Sequence, residues 1–286
     1  MTERRETAVF GPAGMCEAAS ASGIKTTEKL LRYLSERGVD AFEYQCGRGV
    51  NIGEEKARFL RERAKEAGIV LSIHAPYYIS LASAEQQKRD NSVSYILQSA
   101  RAADWMGARR IVVHPGGIGK YSRREAYDIA LETLGRAVDV LEAEGLGHIT
   151  ICPEVMGKIN QLGDLGEVLG FCKAYENMLP CVDFGHLNSR LHGEMDYGAA
   201  LDEIFDAIGE DRARNMHIHF SKIEYSTGGE KQHLTFADTQ YGPDYEPLME
   251  QLAKRGMHPT VICESAGTQT DDALTMKACY FGFVRA

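Results

Sequence analysis

RRIVVHP, residues 109–115, is a short and strongly apolar run that ends in a histidine and a proline. The longer segment that follows, residues 123–144, has the apolar spacing of an amphipathic helix. A strand that is apolar along most of its length, rather than alternating, is typical of a parallel sheet covered by helices. This stretch therefore predicts one βα unit, with His114 at the carboxyl end of its strand.

The same pairing of a short strand and a longer helix occurs eight times along the chain. Strands are predicted at residues 7–12, 41–45, 70–76, 109–115, 148–155, 179–186, 215–221 and 260–265. Helices are predicted at residues 26–38, 54–67, 86–106, 123–144, 164–176, 197–208, 244–255 and 271–282. Eight βα units without a Pro/Gly/Ser-rich linker predict an α/β fold, a single (β/α)8 TIM barrel domain over residues 1–286.

A doubly wound sheet is the competing arrangement. It would need a glycine-rich phosphate loop after the first strand. GPAGMCEAA, residues 11–19, is only a loose approach to such a loop, and no acidic residue ends the second strand. These features favour the barrel.

Composition describes an ordinary globular protein, with 44% hydrophobic and 26% charged residues. No apolar run approaches the roughly 18 residues that a membrane span needs. With no signal peptide in the sequence either, we expect a cytoplasmic, monomeric protein without a membrane contact or an obligate protein partner.

The seven cysteines contain no C-x-x-C pair, which favours reduced structural thiols. The net charge of −9 argues against a surface covered with basic patches, although bound cations do not enter this count.

Side chains of the metal-ligand type recur at the carboxyl ends of the predicted strands. In a barrel these ends share one rim, where the active site lies. Imidazole and carboxylate groups that converge there indicate a metal-dependent active site. The residues concerned are His74, His114, Glu154, Asp183, His186, His217, His219 and Glu264.

Each of these residues, taken singly, has a simpler interpretation. Asp183 is suited to capping a helix, and an arginine would satisfy Glu154 or Glu264 as well as a metal would. His217 and His219 are two residues apart on a strand, so both face the barrel interior or both face the helices. GlyGluLysGlnHis, residues 229–233, is by itself a solvated loop.

The ordered set of motifs is more specific than any one of them. HAPYYISLAS, HPGG, PEVMGKINQLG, VDFGH, HIHFSKIEY with GEKQHL, and ICES follow one another between about residues 40 and 270. Together they resemble endonuclease IV, the trinuclear-zinc apurinic/apyrimidinic endonuclease family of the xylose-isomerase-like TIM barrel superfamily, in its divergent archaeal-type branch. The third-metal residues differ from the usual Asp-x-His of bacterial members, since this chain has Glu230-x-x-His233.

The resemblance implies a set of ligands for each of up to three Zn²⁺ ions, with Mn²⁺ as an alternative ion. The implied sets are His74, His114 and Glu154; then Glu154, Asp183, His217 and Glu264; then His186, Glu230 and His233. His219 lies beside His217, and the sequence leaves open whether it replaces or assists that residue.

The implied activity is DNA repair: hydrolysis of the phosphodiester 5′ to an abasic site in double-stranded DNA. A hydroxide that bridges two metals would attack the phosphorus, with Glu154 and Glu264 as the catalytic carboxylates. Tyr77, Tyr78 and Arg48 would contact the DNA, the tyrosines as aromatic wedges. Two rim aromatics that close over a small substrate are the alternative interpretation of Tyr77 and Tyr78.

Two other functions remain open at this level. A sugar isomerase or epimerase of the same superfamily would use one Mn²⁺, Co²⁺ or Mg²⁺ ion, held by Glu154, Asp183, Glu264 and either His217 or His219. The acidic net charge suits a small neutral substrate, but four further histidines would then lack a shared role. A barrel that binds nucleic acid or metal without turnover is the third hypothesis.

Overall fold

A computed structural model describes residues 7–285, and these form a closed parallel barrel with one additional hairpin. The strands are β1 (Val9–Pro12), β2 (Ala41–Gln45), β3 (Val70–His74), β4 (Arg110–Val113), β5 (Thr150–Pro153), β6 (Cys181–Asp183), β7 (His217–Phe220), β8 (Ile223–Ser226), β9 (Gly229–His233) and β10 (Thr260–Cys263).

Parallel pairing closes the barrel from two ladders, one of order β2-β3-β4-β5 and one of order β1-β10-β7-β6. Parallel bridges between Ala13 and Glu43 and between Glu154 and Cys181 join the ladders at both seams. β8 and β9 pair antiparallel with each other, outside the barrel sheet. The predicted single (β/α)8 barrel is confirmed.

Helices surround the barrel. They are α1 (Glu17–Ala21), α2 (Thr27–Glu36), α3 (Glu54–Ala67), α4 (Gln86–Met106), α5 (Arg123–Ala143), α6 (Leu165–Ala174), α7 (Phe184–Arg190), α8 (Tyr197–Ile208), α9 (Glu210–Arg214), α10 (Tyr245–Lys254) and α11 (Gln269–Arg285). Side-chain caps begin α5, α6, α7 and α8. A capping box of Ser122 and Glu125 starts α5, and α3 ends at Gly68 in the left-handed conformation. The predicted bounds of α3, α4 and α8 match those observed.

The sixth strand is shorter than the predicted 179–186. It ends at Asp183, because the Oδ1 atom of this residue accepts the backbone N–H of His186 at 2.8 Å and starts α7. Asp183 is therefore a helix cap, as its simpler interpretation held, and its second carboxylate oxygen, Oδ2, is not used by this hydrogen bond. The hairpin of β8 and β9 was not predicted, since its polar sequence lacks a clear alternation of apolar residues.

The barrel interior has an apolar side and a polar side. Val112, Cys152, Leu179 and Cys181 form a separate apolar cluster on the side of β4, β5 and β6. Buried polar groups occupy the other side, namely Glu43, Ser72, His217 and His219. Buried polar groups need partners, and in this interior they are partners of one another.

All seven cysteines are free thiols, and six of them are buried, which agrees with the expected structural role. Burial raises the pKa of Cys46, beside the rim, to about 12, so this thiol is protonated. Between residues 7 and 285, none of the helices combines the length and apolar character that crossing a membrane requires.

Candidate metal centre

The ligand-type residues meet at the carboxyl-end rim of the barrel. His74 and Asp183 are the last residues of β3 and β6, and His114, Glu154 and Glu264 directly follow β4, β5 and β10. A cavity of about 400 Å³ opens among them, here called the rim cavity. It is lined by Gln45, Gly47, His74, Tyr77, His114, Met156, Lys158, Gln161, His186, Glu230, His233 and Glu264.

Three side chains, His74, His114 and Glu154, form what we call group one. The Nε2 atoms of the two histidines lie 3.1 Å apart, and Oε2 of Glu154 is 2.9 Å from Nε2 of His114 and 3.4 Å from that of His74. The Nδ1–H of His74 donates to the carbonyl of Ala75 at 2.8 Å. This bond fixes the tautomer and leaves the lone pair of Nε2 directed at the group.

Group two consists of Glu154, Asp183, His219 and Glu264. Nδ1 of His219 lies 3.3 Å from Oε1 of Glu154 and 3.5 Å from Oε2 of Glu264. Glu154 thus belongs to both groups, as the resemblance implied.

The histidine of group two differs from the implied one. His217 pairs in register with Cys181 and His219 pairs with Asp183, so His217 lies one layer deeper in the barrel. Its Nε2 contacts Oε2 of Glu43 at 3.1 Å instead of the rim carboxylates. Both histidines face the interior, but it is His219 that the structure brings to the rim.

Group three consists of His186, Glu230 and His233, from α7 and β9. Nε2 of His186 lies 3.5 Å from Oε2 of Glu230, and the rings of His186 and His233 meet edge to face with centroids 5.4 Å apart. Nδ1 of His186 donates to the carbonyl of Val155 at 3.0 Å, and Nδ1 of His233 hydrogen-bonds to Oγ of Ser221 at 2.8 Å. Both Nε2 atoms are therefore free to bind an ion.

Unpartnered buried atoms test whether these groups fit metal ions. Oδ2 of Asp183 and Nε2 of His186 are inaccessible to solvent and have no hydrogen-bond partner. Leaving buried polar atoms unpaired costs about 1–3 kcal/mol each, unless an ion or a water pairs them. Mixed imidazole and carboxylate donors are those that zinc and manganese accept, so the residues fit such ions.

Charges in the site shift the pKa values of its residues in opposite directions. Burial lowers the pKa of His74, but the carboxylates of Glu154, Glu43 and Glu264 together outweigh burial and raise it to about 9. Burial also lowers the pKa of His186, but the carboxylates of Asp183, Glu154 and Glu230 together outweigh burial and raise it to about 10. Burial raises the pKa of Glu264, but the charge of His219 and its hydrogen bond reverse this and lower it to about 2. Metal-free protein therefore holds protons that a bound ion would displace.

Glu43 is a functional candidate that the sequence analysis missed. It lies in the middle of β2, fully buried, and accepts a hydrogen bond from Oγ of Ser72 at 2.9 Å. Its Oε1 lies 3.1 Å from Nε2 of His219, the ring atom opposite the one in group two. An acidic residue within the apolar strand AFEYQ was the available signal. Burial raises the pKa of Glu43, but the charge of His219 and the hydrogen bonds of His217 and His219 lower it well below the usual value.

Tyr77 and Tyr78 lie at the mouth of the rim cavity and are 53% and 51% exposed. Their ring centroids are 4.6 Å apart, and Arg48 is close enough to Tyr78 to oppose the rise in its pKa, a rise caused mainly by its hydrogen bond to Tyr77. Only Tyr77 lines the cavity itself. The three residues proposed to contact DNA are thus neighbours on one side of the rim.

Comparison with known proteins places this geometry in context. Residues 31–279 match the family described as xylose isomerase-like TIM barrel. An uncharacterized protein of Methanocaldococcus jannaschii is 34% identical over 276 residues, which cover 95% of this chain and 96% of that protein. A Ureaplasma urealyticum protein named "Probable endonuclease 4" is 28% identical over 203 residues, 64% of this chain and 63% of that relative.

Among solved structures, a D-tagatose 3-epimerase-like protein superposes with a TM-score of 0.71. It is 21% identical and covers 97% of this chain, which in turn covers 98% of that structure. At this identity the likeness extends to the fold alone. The chain is thus similar in sequence to a relative named as a probable endonuclease and in fold to a structure named as epimerase-like, and the side chains at the rim have to distinguish between these activities.

Proposed function

The chain belongs to the xylose isomerase-like TIM barrel family, and from that premise we propose that it is a metal-dependent phosphodiesterase that hydrolyses double-stranded DNA 5′ to abasic sites. Zn²⁺ is the proposed ion, with Mn²⁺ as the alternative. The curated relative named as an endonuclease supports this direction by sequence similarity, although the shared segment covers only part of each chain.

One observation carries the proposal: three ligand groups each contribute at least one side chain to the wall of one cavity, and two of them share Glu154. A centre with one ion would use four ligands and leave the other histidines without a task. Carboxylates that serve two groups at once are typical of sites with several ions, which act on phosphate esters.

Divalent ions bound to these groups would activate a water molecule and neutralise the negative charge that develops on the phosphate. The chain's own residues prepare the site. Hydrogen bonds from Nδ1 of His74 and His186 to backbone carbonyls hold both rings with Nε2 toward the cavity. Glu154 and Glu264 are proposed as the carboxylates nearest the reaction, and burial of Glu154 keeps bulk water from its inner oxygen.

The mouth of the rim cavity suits an extended anionic ligand. Lys158 lines the cavity, is exposed, and contributes a basic side chain to its wall. Two neighbouring exposed tyrosines, Tyr77 and Tyr78, are able to replace base stacking next to an extruded nucleotide. These contacts would compensate for the acidic charge of the chain as a whole.

A sugar epimerase with one ion is the second candidate, and a specific observation favours it. Group two by itself is a complete Glu-Asp-His-Glu set, and a solved structure named as epimerase-like has the same barrel. Under this hypothesis groups one and three would bind substrate rather than metal.

The experiment uses purified protein loaded with Zn²⁺ or Mn²⁺ and a labelled duplex that contains a tetrahydrofuran abasic analogue. We expect incision 5′ to the analogue, no incision of the undamaged duplex, and loss of the activity in Glu264→Gln. A protein that leaves the abasic duplex intact in both metal forms, but interconverts ketoses with Mn²⁺, would contradict the endonuclease proposal and favour the epimerase.

A further inference from the structure

The loop after β5 and the hairpin of β8 and β9 are joined through their backbones. Lys158 and Gly229 form an antiparallel bridge, and the N–H of Glu230 donates to the carbonyl of Gly157 at 3.3 Å. On the other side of this bridge, the N–H of Ile159 donates to the carbonyl of Gly228 at 3.2 Å. The Gly229–Glu230 end of the hairpin is therefore held by the loop after β5, whereas His233 is held by its hydrogen bond to Ser221, directly after β7.

Two glycines make this approach close enough. A Cβ atom at Gly157 would lie 2.5 Å from Cβ of Glu230, 2.8 Å from Oγ of Ser189 and 3.0 Å from Cδ2 of His186. A Cβ atom at Gly229 would lie 2.1 Å from the carbonyl oxygen of Gly157, and Gly229 has a φ of 90° that favours glycine. The space that a side chain would fill is thus the space between His186 and Glu230.

We propose that Gly157 and Gly229 are the residues that determine the third ligand group, and with it the number of ions that the centre holds. The pair brings Glu230 up to His186, beside His233; without this approach group three loses its carboxylate, and the barrel keeps groups one and two alone. This inference rests on the proposed function, because it explains how this chain obtains a centre with several ions on a barrel that it shares with epimerase-like structures.

The loop after β5 has little freedom to move away from an added side chain. Arg190 of α7 donates to the carbonyls of Met156 at 2.9 Å, of Lys158 at 2.7 Å and of Gln161 at 3.1 Å. Arg123 also donates to the carbonyl of Gln161, at 3.1 Å. Since both arginines hold the loop, a methyl group at position 157 would displace the hairpin, and Glu230 would move away from His186.

Groups one and two do not depend on this contact. Their members lie at the ends of β3, β4, β5, β6, β7 and β10, which are fixed by the pairing of the barrel. Substitution of either glycine should therefore remove one ion and leave the others.

The test compares the variants Gly157→Ala and Gly229→Ala with Gly228→Ala. Gly228 is a matched control on the same hairpin, because a Cβ atom there would meet nothing closer than Oγ of Ser226 at 3.8 Å. Each protein is saturated with Zn²⁺, dialysed without chelator and analysed by elemental mass spectrometry, with circular dichroism as a measure of folding. We expect about three ions per chain in the wild type and the control, and about two in both test variants.

Three results would overturn the inference. These are fewer than about three ions in the wild type, an unchanged ion count in folded Gly157→Ala and Gly229→Ala, and loss of the entire fold in both variants. Incision of abasic duplex is assayed in parallel to separate the two claims. A wild type that does not incise, but loses one ion on substitution of either glycine, contradicts the proposed function and supports the inference.

Discussion

Groups two and three lie a few ångströms apart but are built in different ways. Group two consists of buried or half-buried side chains at strand ends, with Glu43 behind its histidine inside the barrel. Group three takes one residue from the short helix α7 and two half-buried residues from a hairpin outside the sheet. Group two is thus part of the barrel framework, whereas group three depends on a contact between loops. We conclude that the barrel strands position group two and that the contacts between loops determine whether group three forms.

The largest expected effect is that of Glu154→Gln, which alters the residue shared by groups one and two. It should lower kcat for abasic-site incision by about 10³-fold, because charge stabilisation of the transition state depends on both groups. His233→Ala, which alters group three alone, should lower kcat by about 10²-fold. Single-turnover incision measures both. Glu142→Gln, on the exposed face of α5, is the control, and equal losses in the two variants would contradict the difference between the groups.

Glu43→Gln should weaken the binding of the ion held by group two and leave the binding of the other ions unchanged. Nε2 of His219 faces Glu43, and this contact directs Nδ1 of the ring to group two. Loss of such a supporting carboxylate typically reduces metal affinity about 10–100-fold. Titration with Co²⁺, followed by its visible absorption, resolves the affinities of the separate ions.

Ser72→Ala is the matched control for Glu43→Gln, since it removes a buried hydrogen bond to Glu43 but keeps the carboxylate beside His219. An equal loss of affinity in the two variants would indicate general loosening of the interior rather than orientation of His219.

The stability of metal-free protein should fall as the pH rises from 6.5 to about 9. The neighbouring carboxylates raise the pKa of His74 to about 9 and that of His186 to about 10. Protonation of these rings therefore stabilises the fold fully below pH 6.5, and the effect is lost as the pH passes through the folded-state values. A fall in Tm of about 5 °C is expected for a chain of this length.

Zn²⁺-loaded protein should not show this fall, because the ion replaces the protons on the histidines. Differential scanning calorimetry at several pH values, with and without chelator, makes the comparison. A metal-free Tm that is constant or rises between pH 6.5 and 9 would contradict the expected charge state of these two histidines.

The smallest effect is expected for Lys158→Ala, at the wall of the rim cavity. Loss of one phosphate contact should raise KM for abasic duplex about fivefold, with kcat little changed. The slope of log KM against the logarithm of the salt concentration should fall by about one. Steady-state incision at several salt concentrations measures this. Lys173→Ala, an exposed lysine of α6, should leave the slope unchanged. An unaltered slope in Lys158→Ala would separate this residue from DNA binding.

Much of the architecture could be predicted from local patterns. The bounds of α3, α4 and α8 follow from amphipathic spacing and glycine ends, and β2 matches its predicted range. The prediction of β6 extended too far, because Asp183 belongs at once to a strand, a helix cap and the rim. The hairpin of β8 and β9 was missed because its polar sequence lacks a clear alternation of apolar residues.

By itself, the sequence determined the barrel and the kinds of ligand at its rim, since both depend on short-range periodicity and on the residue that follows each strand. Only the tertiary structure decided which of His217 and His219 reaches the rim. A spacing of two residues places both side chains on one face, and the register between β6 and β7 sets their depth. The supporting role of Glu43 and the close approach of Gly157 and Gly229 likewise join segments far apart in the chain. Such contacts arise from the closure of the barrel and the packing of its loops.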